Sequence, residues 1–269
     1  MAETSLKRLQ SDYVDMIYIH DVGAVENVHP PALTEAMAQL KKEGKARFAG
    51  FSTHSNMAAC LNEAARIGFY DVVLTAFNYA HAGNKELLEA LTNASAKGIG
   101  LIAMKTQCNQ YWYKDGLPTV EQMYYQGTII QSAVLKWVIN HDFITTAVPG
   151  YTTYEQLNED VAAGRNPALS PEEKKFLADR KVKLAMEFYC RQCSQCVSTC
   201  SKGADIPSLM RTHMYAACYA NFYQARDTYD GMPRDRGLEA CSSCDSCRAQ
   251  CVHSISIGKR IDELKALFG

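Results

Sequence analysis

At 269 residues, 47% of them apolar, the chain can bury a substantial core and has room for two domains, at roughly 100 to 200 residues each. Twenty-eight basic against twenty-nine acidic residues leave a net charge of -1, which excludes the polycationic surface that nucleic acid or an anionic bilayer would attract. No apolar run approaches the roughly 20 residues of a membrane span, and the opening Met-Ala-Glu-Thr-Ser-Leu-Lys has no hydrophobic export region, so the expected location is the cytoplasm.

In chain order, Tyr13 to His20 reads as a strand, and Pro31 to Lys42 as a helix with Pro at its start and Gly44 past its end. The alternation then repeats. Arg47 to Thr53 is strand-like, Asn56 to Ile67 helical, Val72 to Asn78 a strand, Lys85 to Lys97 a helix, and Gly100 to Lys105 a strand. Gly127 to His141 reads as a helix, Ile144 to Val148 as a strand, and Thr153 to Ala163 as a helix. Five strands, each followed by a helix, imply an α/β fold with a parallel sheet. Ser170-Pro171-Glu172-Glu173 then looks like a helix start, with Ser as N-cap and acids in the first turn offsetting the macrodipole. From Ile206 to Arg226, helix formers run without a breaker after Pro207, so this stretch is expected to be helical. The expected organisation is a β/α domain over 1–165, a linker helix over 166–188, a mainly α-helical cysteine-bearing domain over 189–257, and a C-terminal helix over 258–269.

Eight of the eleven cysteines form two copies of one pattern: Cys190-x2-Cys193-x2-Cys196-x3-Cys200 and Cys241-x2-Cys244-x2-Cys247-x3-Cys251. This is the spacing of bacterial two-cluster ferredoxins, in which the first three thiolates of a run hold one [4Fe-4S] cluster and the fourth ligates the other. On that rule Cys190, Cys193, Cys196 and Cys251 hold one cluster, and Cys241, Cys244, Cys247 and Cys200 the second. Disulfides fit poorly, because the chain is long and leaves Cys60, Cys108 and Cys218 unmatched. Two zinc sites of four cysteines each are the better rival, although zinc knuckles use separated pairs.

The first 165 residues also resemble a known family. Ser5-Leu6-Lys7-Arg8-Leu9-Gln10-Ser11-Asp12-Tyr13-Val14-Asp15-Met16-Ile17-Tyr18-Ile19-His20 is similar to the segment entering the fourth strand of aldo-keto reductases. Gly50-Phe51-Ser52 resembles the end of the fifth strand, Ala76-Phe77-Asn78-Tyr79 the sixth, Ile102-Ala103-Met104-Lys105 the seventh and Val148-Pro149-Gly150 the eighth. With the cysteine tail, the chain resembles the subgroup bearing a C-terminal ferredoxin-type domain with two [4Fe-4S] clusters.

The resemblance implies a (β/α)8-derived fold, here a partial TIM barrel, with its chemistry at the carboxyl ends of the strands. It further implies NADP or NAD as cofactor and a small carbonyl substrate. His20 would orient the carbonyl, Ser52 would bind the nicotinamide, Asn78 would also contact the cofactor, and Lys105, Gly150, Tyr151 and Thr152 would follow the phosphates. The family's catalytic Asp, Tyr and Lys belong to the first three strands, ahead of the first matched segment, so a truncated gene product is expected. A sheet of five such units exposes its edges unless an oligomer or another chain covers them.

Two functional classes follow. One is an oxidoreductase coupling NAD(P)H-linked carbonyl reduction to the clusters, with a ferredoxin or flavoprotein as redox partner. The other is a non-catalytic, ferredoxin-like electron carrier whose β/α half is a scaffold. His20, His54 and His81 fall near strand ends, where imidazoles could share a metal, although loop histidines are commoner than metal sites. The aromatic stretch with Tyr111, Trp112, Tyr113, Tyr124 and Tyr125 would close over a substrate or pack against the cysteine domain. Neither a serine nucleophile elbow nor a P-loop is present.

Overall fold

The computed structural model describes residues 2–107, 130–151, 153–179, 182, 190–218 and 221–269. They fall into two compact units. The first takes the described residues of Met1–Thr106 and Trp137–Pro167, the second those of Gln107–Lys136 and Ala168–Gly269.

Five strands build the first unit: β1 (Val14–Ile19), β2 (Ala46–Thr53), β3 (Val72–Ala76), β4 (Gly100–Met104) and β5 (Thr146–Val148). They pair in parallel in the order β1-β2-β3-β4-β5. Parallel neighbours need a crossover, and the helices Pro31–Lys42, Met57–Ile67, Lys85–Ala96 and Gln131–Ile139 follow β1 to β4 in turn, with Tyr154–Arg165 after β5. A helix over Ala2–Leu9, which the sequence reading left unassigned, precedes β1 and buries Leu6.

Termini follow local chemistry. Pro31 occupies the first turn of its helix, where a missing N–H costs nothing. Gly68 ends the helix Met57–Ile67 with φ 68°, a left-handed backbone that side chains resist. Because parallel strands are covered on both faces, β2 and β3 are buried almost throughout. Phe51, Val73, Phe77 and Leu101 pack with Leu61, Leu87 and Leu91 from the helices.

Tyr70 supplies a polar anchor in this core. It is 4% exposed, and its hydroxyl donates to the carbonyl of Val28, itself fully buried. Burial pushes the Tyr70 phenol up to about 12, so it stays a donor at every physiological pH. Tyr70→Phe leaves the Val28 carbonyl without its partner and is expected to cost about 1 to 3 kcal/mol, read as a lower thermal midpoint. An unchanged midpoint would show that the bond contributes nothing.

In the second unit, Ser170 caps the helix Pro171–Ala178 in a capping box with Glu173. Burial alone would raise the Glu173 pKa, but donors from the Ser170 amide, Ser132 and Lys136 outweigh it and hold the carboxyl low. Residues 206–226 are not one helix. Helices Ile206–His213 and Phe222–Asp230 are separated by a wide π turn over Met214–Cys218, and Asn221 restarts the backbone by accepting from the Gln224 amide. The helix Ile257–Phe268 closes the unit. Its core joins Ile206, Leu209, Met210, Ile255, Ile261 and Leu264, and Cys190, Cys196, Cys200 and Cys251 pack against it.

Candidate functional site

Because β1 to β4 are parallel, the polar residues singled out at their carboxyl ends lie on one side of the sheet. His20 follows β1 and is exposed. The next residue, Asp21, has a left-handed backbone (φ 54°), and its N–H donates to Ser52 Oγ at 3.0 Å. The Val22 amide donates to the Ser52 carbonyl at 2.8 Å. Ser52, 4% exposed, therefore braces the loop after β1; the N-cap of the following helix is Asn56 instead.

Asn78 is fully buried and ties β3 to β4. Its Nδ2 donates to the Lys105 carbonyl at 2.9 Å, its Oδ1 accepts from the Ala80 amide at 3.1 Å, and its own amide donates to His81 Nδ1 at 3.2 Å. Lys105 also has φ 54°, a conformation that costs a non-glycine residue on the order of 1 kcal/mol and that the Asn78 bond helps hold. His81, 1% exposed, stacks on Phe77 and completes a capping box with Asn78. Sequence inspection missed this brace, although Asn78-x2-His81 has capping-box spacing.

Gly150 and Tyr151 are exposed after β5, while Thr152 and the aromatic residues from Tyr111 to Tyr125 lie outside the described residues. Among the described residues, no group of three or more His, Cys, Asp or Glu side chains is placed to hold a metal ion, and His20, His54 and His81 form no such group.

The eight cysteines of the second unit gather into two sets. Cys190, Cys193, Cys196 and Cys251 line a tight cavity of about 20 Å3. Cys200, Cys241, Cys244 and Cys247 line a larger one of about 550 Å3. Each set thus takes three thiols from one run and the fourth from the other. Burial pushes the Cys196 thiol up to about 12, and nearby Cys190, Cys193 and Cys251 push the same way. Cys190 and Cys241 are likewise raised, mainly by burial.

Donors point at these sulfurs. Gln192 Nε2 lies 3.2 Å from Cys190 Sγ, and the His253 amide donates to Cys251 Sγ at 3.4 Å. Gln192 (φ 54°) and Ser194 (φ 62°) are left-handed on either side of Cys193.

The strand-end geometry and the order of its segments can now be set beside known proteins. Residues 1–110 match the Aldo/keto reductase family. A curated relative, L-galactose dehydrogenase of Arabidopsis thaliana, is 26% identical over 181 residues, covering 60% of this chain and 56% of that protein. L-glyceraldehyde 3-phosphate reductase of Escherichia coli K12 is 24% identical, covering 64% and 59%. The chain thus spans less than two thirds of the length of the curated relatives it matches. A solved aldo-keto reductase of Bacillus halodurans, in its holo form, is 17% identical with a TM-score of 0.49, covering 68% of each chain. The thermostable aldo-keto reductase Tm1743 gives 24% and 0.47, covering 65% of this chain and 63% of that one.

Beyond the matched segment, the helix Tyr154–Arg165 caps its own N-terminus. Thr153 Oγ1 accepts from the Gln156 amide, and Gln156 Oε1 accepts from the Thr153 amide. Its own backbone amide and Thr153 hold the Glu155 carboxyl below the usual carboxylate range. A carboxylate therefore sits beside the first amides of this helix.

Among the described residues, no helix is long and apolar enough to cross a membrane.

Proposed function

We propose that the protein is an iron-sulfur oxidoreductase in which two [4Fe-4S] clusters transfer electrons, joined in one chain to a β/α unit of aldo-keto reductase type. The observation that carries this is the gathering of eight thiols into two sets of four, each drawn from both cysteine runs. Cys190, Cys193, Cys196 and Cys251 would hold one cluster, and Cys200, Cys241, Cys244 and Cys247 the other. A cubane takes thiolates at its outer corners, farther apart than four ligands on one ion. The donor chemistry fits at the Cys190 set, where N–H to sulfur contacts favour negative charge. Free volume fits at the Cys200 set and is short at the Cys190 set. When bound, each cluster would accept and release one electron at a time. The proposed work belongs in the cytoplasm, where thiols stay reduced, with a ferredoxin or flavoprotein as the proposed electron partner.

A second reading, NAD(P)H-linked reduction of a small carbonyl, draws on the family match and on the curated relatives being a dehydrogenase and a reductase. In it His20, exposed at the end of β1, would orient the carbonyl, with Ser52, Asn78, Lys105, Gly150, Tyr151 and Thr152 along the cofactor. A nicotinamide hydride carries two electrons, one for each cluster. The self-capped helix Tyr154–Arg165 weighs against this reading, and the buried polar atoms of Asn78 are already used within the protein.

Anaerobic titration of the iron-loaded protein separates the two. Dithionite is expected to bleach the visible absorbance of the clusters, and bleaching by NADPH as well is the result the second reading requires. A chain with no such band, or a band that dithionite leaves unchanged, refutes the proposal.

A further inference from the structure

The two cysteine sets meet solvent differently. Cys190, Cys193, Cys196 and Cys251 are all half-buried around a tight cavity, whereas Cys247 of the other set is exposed. The wider cavity that Cys247 lines, of about 550 Å3, is also charged. Among the described residues, Lys202, Arg248, Lys259 and Lys265 line it against two acids, Asp245 and Asp262. All of these but Lys265 are exposed, and the apolar lining residues Ile206 and Ile261 are buried, so an approaching molecule meets charge before hydrocarbon. The cations are tied to the thiols through the backbone. Lys265 Nζ donates to the Cys241 carbonyl at 3.1 Å. A Cβ added to Gly258 would stand 3.0 Å from Cys247 Cβ, so the turn of helix that carries Lys259 is pressed against the exposed thiol. A local surplus of positive charge thus borders this set, on a chain whose net charge is -1.

We infer that the electron partner is an acidic protein carrying a one-electron group, and that it docks over the Cys200 set rather than the Cys190 set. The inference rests on the reading above that the Cys200 set holds a cluster. Electron transfer falls steeply with distance, and the exposed thiol is where a partner's group comes nearest. One electron leaves the reduced centre, which is oxidised, and enters the partner's group, which is reduced; a flavin so reduced takes its proton from water. Cations gathered around a cleft focus the field and raise the rate of encounter with an anionic partner by about 10-fold to 1,000-fold. A contact made of charge is small and short-lived, which suits successive single-electron deliveries.

Stopped-flow oxidation of the iron-loaded full chain, reduced with dithionite and freed of the excess, tests this with two probes: oxidised flavodoxin, which is acidic, and oxidised cytochrome c, which is basic. The flavodoxin rate is expected to fall about tenfold or more as salt is raised, because screening removes a local attraction; net charges of like sign alone would make it rise. Lys202→Glu joined to Lys259→Glu is expected to lower the flavodoxin rate at low salt by a similar factor and to raise the cytochrome rate. Lys7→Glu joined to Lys85→Glu, at exposed positions of the first unit, makes the same change in net charge and is expected to leave the flavodoxin rate close to that of the unaltered chain. An equal loss in both double variants overturns the inference, as does no loss in the first. If the first variant loses its iron, salt decides alone: a flavodoxin rate on the unaltered chain that rises or stays level overturns the inference. An unaltered chain that binds no iron is a different result, and it overturns the cluster reading together with this one.

Discussion

Replacing Cys251 with Ser is expected to remove the centre built on Cys190, Cys193 and Cys196, more than fifty residues earlier, and to spare the one built on its neighbours Cys241, Cys244 and Cys247. The variant should lose about half of the iron, with the remaining centre keeping its spectrum. The argument is geometric. Cys251 lines the cavity of the Cys190 set. Cys200 instead joins Cys241, Cys244 and Cys247. Cys200→Ser is therefore the mirror experiment, and it should leave the other half of the iron. Loss of the near centre in Cys251→Ser, with the distant one intact, would mean that each run closes its own site.

The largest effect on stability is expected at Gly50, in the middle of β2. It pairs with Tyr18 on one side and Val72 on the other. A Cβ there would collide with the Val72 carbonyl and stand 2.7 Å from Val72 Cγ1 and 2.9 Å from Tyr18 Cε1. A carbonyl within a parallel ladder cannot turn aside without breaking strand pairing. Gly to Ala in a strand would ordinarily gain about 0.5 to 1 kcal/mol, so the sign itself is informative. Gly50→Ala should instead cost about 3 kcal/mol or more, a fall in the thermal midpoint on the order of 10 °C. Gly83→Ala is the control, because nothing lies within 4 Å of its added Cβ. Equal midpoints in the two variants would show that β2 can shift to make room.

Much of this was legible in the chain itself, and the limits have physical causes. The β/α alternation could be read because apolar runs of strand length are separated by amphipathic stretches with Gly after their ends. Bounds moved by a residue or two: the strand expected over 13–20 is Val14–Ile19, and the helix expected to run to 141 ends at Ile139. The π turn over Met214–Cys218 was not legible, since helix propensity is nearly level across IPSLMRTHMYAACYANFYQAR and only the cap at Asn221 marks a restart.

At the site, cysteine spacing alone anticipated which thiols share a cavity, because the x3 step carries the fourth sulfur away from its own run. The left-handed turns at Gln192 and Ser194 could not be anticipated, because neither side chain demands positive φ. Ser52 and Asn78 were singled out for a cofactor, yet their polar atoms hold the strand-end loops together, a role visible only once strands 31 and 27 residues apart are paired. The self-capping of the helix Tyr154–Arg165 was readable from Thr153-x2-Gln156, a capping-box spacing.

We propose that this chain's eight paired-run cysteines hold two clusters. Iron and acid-labile sulfide, measured on protein prepared without oxygen and joined to a low-temperature paramagnetic resonance spectrum after dithionite, test it most directly. The expected result is about eight irons and eight sulfides per chain, with signals from reduced [4Fe-4S] centres. Fewer than about six irons, or zinc bound in their place, would contradict it.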